Sequence, residues 1–159
     1  MCIVTDRKGN KLLEMISGNE MELIANEQYR PLVSALVVVR SPAGFMLLMN
    51  KYRNEYELAG GIIEPGETPR ECAIRECMEE SGYQLSDARF IGIMKFDLVP
   101  DYFSKEYRIE YTALYGADVD EIIAFTENDE MSGLCWYRIG DKIHDASAID
   151  VKLLEYYEL

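Results

Sequence analysis

Residues 60–82 constrain this chain more than any other stretch. Gly60 and Gly61 open a loop that ends in Thr68-Pro69-Arg70-Glu71. A threonine followed three residues later by a glutamate forms a capping box, in which each side chain satisfies the other residue's backbone N–H. Proline suits the first helical position because its missing N–H has no helical partner to lose. Ser81-Gly82 supplies a glycine stop, so the spacing predicts a helix over 69–81. At about 100° per residue, with Glu76 at zero, Glu79 falls near −60° and Glu80 near +40°. Three carboxylates then share one narrow face, and Ile74, Cys77, Met78 and Ser81 fall on the packing side.

Like charges three and four residues apart cost a few tenths of a kcal/mol each on an exposed helix, and more where water is excluded. Arg75 can pair with Glu67, Glu71 or Glu79, but residues 61–83 contain six acids and two bases. One guanidinium does not neutralise that group. A hard divalent cation would, because Mg²⁺ prefers carboxylate oxygens, retains some waters and is commonly shared with substrate phosphates. From the three glutamates alone, a solvated acidic face is the competing reading.

The rest of the chain reads as alternating strands and two helices. Residues 2–17 form a hairpin pattern, with 3–6 and 12–16 flanking Arg7-Lys8-Gly9-Asn10. Leu32 to Arg40 is a nearly continuous Val-rich run suited to a central strand covered on both faces. Ser41-Pro42-Ala43-Gly44 turns into a second strand at 45–49, and further strands are expected at 89–97, 106–116 and 134–138. Residues 145–157, with Ile149, Leu153, Leu154 and Tyr157 on one side, are expected to close the chain as a helix. The pattern implies an α/β class, a mixed β-sheet sandwiched between helices (α/β/α), in one domain over 1–159 with an N-terminal β-hairpin extension at 1–31.

The chain carries 16 Lys and Arg against 29 Asp and Glu, a net charge of −13, and residues 118–159 hold 11 acids and three bases. No surface of general phosphate-coating character fits that balance, so long nucleic acid is not an expected partner. A small phosphate compound is compatible, since a bound cation reverses the local sign. No apolar run approaches the roughly 20 residues that cross a bilayer, and no secretory leader is recognisable at the start, which points to a cytoplasmic protein without a membrane partner. Cys2, Cys72, Cys77 and Cys135 show no metal-ligand spacing, and His144 is the sole histidine.

Reading Gly61, five residues, Glu67, seven residues, then Arg75-Glu76-Cys77-Met78-Glu79-Glu80-Ser81-Gly82-Tyr83, the sequence resembles the Nudix box, GX5EX7REUXEEXGU with U apolar. All seven fixed positions match, a coincidence of roughly 10⁻⁸ per starting position at ordinary residue frequencies. Cys77 and Tyr83 stand where aliphatic residues are usual. The likeness extends to the Glu57-Leu58-Ala59-Gly60 strand before the box and to the acidic segment before Trp136, and residues 1–31 lie outside it.

The resemblance implies a Nudix fold and a hydrolase that uses Mg²⁺ (or Mn²⁺) to cut a diphosphate linkage. Glu76, Glu79 and Glu80 would hold the metal with the Gly61 carbonyl, and Glu67 and Arg75 would support the architecture. The general base stays open among Glu76, Glu79, Glu106, Glu110, Asp129 and Glu130, with Glu110 also a candidate accessory ligand. Lys51-Tyr52-Arg53 and Glu57 precede the box as candidate substrate contacts, resembling the same region of ADP-ribose and nucleotide-sugar pyrophosphatases; Tyr52, Phe96, Tyr102 and Phe103 could stack on a base. The Gly60-Gly61 pair is shared with relatives that cleave nucleoside triphosphates. A nucleotide sugar such as ADP-ribose is the first substrate expectation, a nucleoside triphosphate, canonical or oxidised, the second, and a non-catalytic nucleotide-sensing domain the reading of another class. An exposed hairpin edge would offer a homodimer contact.

Overall fold

Every second residue of the Val-rich run points to the same side of a sheet, and the two sides bury different partners. The structure, a computed structural model, describes residues 1–158. Its strands in chain order are β1 (Val4–Thr5), β2 (Lys11–Ile16), β3 (Leu32–Ser41), β4 (Gly44–Asn50), β5 (Glu55–Glu57), β6 (Ala59–Ile62), β7 (Arg89–Leu98), β8 (Arg108–Asp118) and β9 (Met131–Tyr137). Helices α1 (Glu20–Ala25), α2 (Pro69–Ser81) and α3 (Ala148–Leu153) are interspersed, and a 3₁₀ turn follows at Leu154–Tyr156.

The strands form one mixed sheet in the order β1-β2-β7-β8-β3-β4-β5, with β6 added on β3 and β9 on β4. Among the described strands only β3 and β8 pair in parallel, Ala35 opposite Ala113 and Val37 opposite Tyr115; the other strand pairs are antiparallel. Ala35, Val37 and Val39 bury against Cys72, Ala73 and Cys77 of α2. Val38 faces the other way, into a core with Leu47, Leu114, Ile149, Leu153 and Tyr157. The expected α/β/α sandwich is therefore present, with α2 covering one face and α3 the other.

One edge of β3 is divided between two strands. Its first half pairs with β6, from Ser34 opposite Ile62 to Val37 opposite Ala59, while Arg40 and Ser41 pair with Phe45 and Gly44 of β4. Where β4 leaves β3, β6 and the loop after it take its place, and α2 packs on β6 and β3 there. This divergence sets the position of the acidic helix.

Several expectations need correction. The closing helix is shorter than 145–157: Ser147 caps it by accepting from the Asp150 N–H, and Asp145 sits at φ 59°, a left-handed conformation no helix interior takes. A third helix, α1, starts at the cap Asn19, whose side chain accepts from Glu22 N at 3.1 Å. The N-terminal hairpin forms as expected, with the two-residue β1 as its outer strand. Among the described residues no helix is long and apolar enough to cross a membrane.

Candidate functional site

The N-terminus of α2 closes by the expected reciprocal cap: the Thr68 hydroxyl accepts from Glu71 N at 3.1 Å and Glu71 Oε1 accepts from Thr68 N at 3.0 Å. At the other end Gly82, at φ 81°, donates its N–H to the Met78 carbonyl and releases the chain. The helix is thus fixed in length and phase, and its buried residues are Pro69, Cys72, Ala73, Cys77, Glu80 and Ser81. This corrects the expected division of faces. Met78 is 45% exposed and Glu80 is 4% exposed, because the helix leans on β6 and β3 along the ridge through Cys72, Ala73, Cys77 and Glu80 rather than through Met78.

The three carboxylates consequently differ in depth. Glu80 lies deepest, where its Oε1 accepts a hydrogen bond from Gly60 N at 2.8 Å. Burial pushes its carboxyl up to about 9, against the pull of that hydrogen bond and with added repulsion from Glu76 and Glu130. Glu76 is raised for the same leading reason, although Arg75 opposes the shift. The Glu79 side chain is the open one, 58% exposed.

Arg75 organises the loop beneath. Its Nε and Nη2 donate to the two oxygens of Glu67 at 2.7 and 3.0 Å, and Nη2 also donates to the Ile62 carbonyl at 3.1 Å. The same guanidinium reaches upward with Nη1 to Glu76 at 2.9 Å and Glu79 at 3.2 Å. Bidentate pairing with Arg75 holds the Glu67 carboxyl down at about 2.

Opposite α2, the loop before β9 contributes Asn128, Asp129 and Glu130. Together with Glu76, Glu79 and Glu80 they line a cleft of about 240 Å³. Five carboxylates around so small a volume repel strongly, and Arg75 answers only two of them. Among the described residues no three His, Cys, Asp or Glu side chains converge tightly enough to cage an ion as they stand; Nη1 of Arg75 holds Glu76 and Glu79 instead. The donor set nevertheless fits a hard divalent cation, being carboxylate oxygen throughout. Gly61 keeps room for the Glu76 carboxylate, since a Cβ there would lie 2.5 Å from Glu76 Oε1. The Gly61 carbonyl is approached by the Cys72 thiol at 3.4 Å.

The remaining candidates separate into two groups. Lys51 lies beside the acidic loop: its N–H donates to the Glu130 carbonyl at 2.8 Å and its Nζ is 3.7 Å from Glu127. Arg53 donates through Nε and Nη2 to both oxygens of Glu57 at 2.7 and 2.8 Å, and its charge also feels Asp150 and Glu80. Tyr52 between them is 77% exposed. Glu110, by contrast, does not line the acidic cleft; its Oε1 accepts from Arg108 Nε at 2.7 Å on β8. Glu106 is in the turn before that strand, near the exposed Tyr102 and Phe103, and Phe96 is buried in the core under α3.

A larger and more open hollow of about 590 Å³ lies between Tyr137, Lys142, His144 and Val151, but it gathers no set of acids. Asn128 is a member of the site that the sequence does not single out. The only signal for it is its place in Glu127-Asn128-Asp129-Glu130, a composition that favours side-chain-to-backbone turns.

Known proteins resemble this chain in sequence and in fold. Among curated relatives, the putative 8-oxo-dGTP diphosphatase of Bacillus subtilis is 27% identical over 105 residues, covering 66% of this chain and 64% of that protein. An RNA pyrophosphohydrolase of Roseobacter denitrificans is 29% identical over 140 residues, 78% of this chain and 86% of its own. The ADP compounds hydrolase NudE of Escherichia coli is 34% identical over 80 residues, 47% of this chain and 42% of NudE. In two of these three matches, then, this chain spans less than two thirds of the relative's length. Among solved structures, the Bacillus subtilis pyrophosphohydrolase BsRppH superposes with a TM-score of 0.69 at 19% identity, covering 98% of this chain and 92% of that one. The NUDIX domain model matches residues 30–157, and with the loop, cap and carboxylates already in place the chain belongs to the Nudix family.

Proposed function

We propose that this protein is a Mg²⁺- or Mn²⁺-dependent pyrophosphohydrolase that cleaves the diphosphate linkage of a small nucleoside diphosphate derivative, with a nucleotide sugar such as ADP-ribose as first choice. The observation that carries the reading is the meeting of Glu76, Glu79 and Glu80 with Glu130 around one cleft, of a size that accepts a diphosphate with its cation.

In this reading Glu76, Glu79 and Glu80 hold the cation, with the Gly61 carbonyl as a further oxygen. The bound metal supplies charge neutralisation on phosphate oxygens and a more acidic bound water. Glu67 and Arg75 keep the loop and helix in register. Glu130, across the cleft from the helix, accepts the proton of the attacking water; the water oxygen bonds to one phosphorus, that phosphorus's bond to the bridging oxygen breaks, and the leaving phosphate takes the electron pair. Lys51, beside Glu127 and Glu130, meets the leaving phosphate charge, and Arg53, held at its other nitrogens by Glu57, offers Nη1 to the substrate, with Tyr52 exposed at the same turn to cover it. The location of Glu110, paired with Arg108 away from the cleft, makes it the weaker candidate for base or ligand.

The relatives bear on the substrate in opposite ways. NudE is named for ADP compounds, which fits the first choice. The diphosphatase of Bacillus subtilis is named for 8-oxo-dGTP, a nucleoside triphosphate, which supports the second reading. The Roseobacter denitrificans relative is named for RNA, but the net charge of −13 weighs against an RNA body as ligand.

The deciding experiment incubates the protein with ADP-ribose, other nucleotide sugars, canonical and 8-oxo nucleoside triphosphates, dinucleoside polyphosphates, coenzyme A and a 5′-triphosphorylated RNA, with Mg²⁺ or Mn²⁺. AMP plus ribose 5-phosphate from ADP-ribose supports the first reading, and nucleoside monophosphate plus pyrophosphate the second. Glu79→Gln and Glu80→Gln should abolish metal-dependent turnover while the circular dichroism spectrum stays native. Absence of hydrolysis across the panel would favour the sensing domain and sink both catalytic readings.

A further inference from the structure

Asn128 uses every polar atom of its side chain, and it does so between the two halves of the cleft. Its Oδ1 accepts from the N–H groups of Glu130 at 3.0 Å and Met131 at 2.9 Å. Its Nδ2 donates to the backbone carbonyl of Glu80 at 2.9 Å. The orientation of the amide is determined by these partners: turned over, the NH₂ would face two N–H donors and the oxygen would face a carbonyl. The backbone of the same residue donates to the Met131 carbonyl at 3.1 Å, and Lys51 N closes the turn by donating to the Glu130 carbonyl at 2.8 Å.

The Glu80 carbonyl belongs to the last turn of α2, where helix carbonyls lack intrahelical partners. Asn128 therefore joins one such orphan of the acidic helix to the turn that carries Glu130. The two walls of the cleft come from parts of the chain far apart in sequence, and Glu130 itself extends from a turn rather than from the sheet. A neutral amide of this length is what the position requires. Aspartate accepts from the turn but cannot donate to the carbonyl, and serine accepts from the turn but is too short to cross the gap.

We infer that Asn128 is a positioning residue for the reaction, holding Glu130 at a set height over Glu76, Glu79 and Glu80 by tying its turn to the end of α2. It acts through Glu130 and does not touch substrate or metal. The inference rests on the reading of Glu130 as the base, and the two can be tested apart. In such sites a displacement of about 1 Å costs on the order of 10²-fold in rate.

The test compares Asn128→Ser, Asn128→Asp, Glu130→Gln and the double variant Asn128→Ser with Glu130→Gln, using whichever panel compound the protein cleaves fastest. Asn128→Ser and Asn128→Asp should each lower kcat by roughly 10- to 100-fold with KM within about twofold of the unmodified protein. Mn²⁺ binding, read by electron paramagnetic resonance on the Asn128→Ser protein, should be unchanged. In the Glu130→Gln background Asn128→Ser should cause no further loss, since residues that act as a unit are not additive. Full kcat in both Asn128 variants, or a loss that multiplies with Glu130→Gln, would overturn the inference while leaving the base in place. An undiminished kcat in Glu130→Gln would instead overturn the base and this inference with it, and so would a panel in which nothing is cleaved.

Discussion

Gly61 faces the Glu76 carboxylate so closely that a Cβ at Gly61 would lie 2.5 Å from Oε1 and 2.6 Å from Cδ. The backbone of Gly61 is ordinary strand, paired with Ala35 across β3, so alanine is conformationally acceptable there. The collision falls on the far end of a flexible side chain, which moves aside at small cost to folding. What is lost is the carboxylate's place in the cleft. Gly61→Ala should therefore leave the thermal midpoint little changed from that of the unmodified protein and lower Mn²⁺ affinity at least about tenfold, a magnitude typical of disturbed ligand support. A Mn²⁺ titration by electron paramagnetic resonance, beside a melting curve, checks both halves.

The Glu67–Arg75 pair predicts a pH dependence of stability. Arg75 lowers the folded carboxyl to about 2 from an ordinary value of 4.5, so the folded state holds its proton less tightly than the unfolded chain. The contribution is complete above the unfolded value and is lost as pH falls through 4.5 toward 2. Glu67→Gln, which keeps a weaker neutral hydrogen bond, should cost about 1–2 kcal/mol at pH 7. The gap between the two proteins should narrow steadily between about pH 5 and pH 2.5 in urea titrations. A gap that stays constant over that range would mean that the pair does not carry the stability assigned to it.

Much of this site can be read before folding because its signals are local. The Thr68 cap, the Gly82 stop and the spacing of Glu76, Glu79 and Glu80 each depend on neighbours within a turn or two, as does the alternation that sends Val37 to one core and Val38 to the other. The depth of each carboxylate is a different matter. Helical phase places Glu80 and Met78 correctly around the axis, but the direction of approach of β6 decides which is covered, and that is set by pairings with β3 distant in sequence. β5 conceals itself similarly: Glu55 and Glu57 look solvent-facing, yet both are buried, because Arg7 lies 3.1 Å from Glu55 and Arg53 lies 2.7 Å from Glu57. Asn128 belongs to the same class. Its three partners lie on α2, on the turn that leads into β9 and at the first residue of β9, and no periodicity announces it.

Residues 1–29 precede the stretch matched by the family, yet they reach the acidic helix. Glu20, at the start of α1, accepts from Arg70 Nη2 at 2.5 Å and from the hydroxyl of fully buried Tyr115 at 3.0 Å. Arg70, in the first turn of α2, also donates to Asp87 at 2.9 Å and lies over the Tyr115 ring at 5.5 Å. Glu20→Ala removes the acceptor of a buried hydroxyl and one partner of a half-buried guanidinium at once. A loss of about 1–3 kcal/mol is expected, more than the usual effect of an exposed ion pair. Chemical denaturation of Glu20→Ala beside Glu22→Ala, whose side chain is outside this cluster, measures it; equal losses would mean that α1 is a passive flank.

Arg53 tests whether the turn before the box recognises substrate or only supports the sheet. Nε and Nη2 are committed to Glu57, which is 8% exposed and, among the described residues, has no other cation bonded to it, so Arg53 has a structural duty whatever else it does. Lysine offers one point charge in place of the fork and cannot bind two carboxylate oxygens and a phosphate together. Arg53→Lys should therefore cost about 1–2 kcal/mol of stability through the weakened pair. If Nη1 also meets the diphosphate, KM for the cleaved compound should rise about tenfold with kcat little changed, the sign of an interaction made equally in the ground and transition states. Comparison with Glu57→Gln separates the two duties: that variant weakens the pair but leaves the guanidinium, so it should share the stability loss and largely spare KM. A rise in KM of the same size in both would assign Arg53 a supporting role alone.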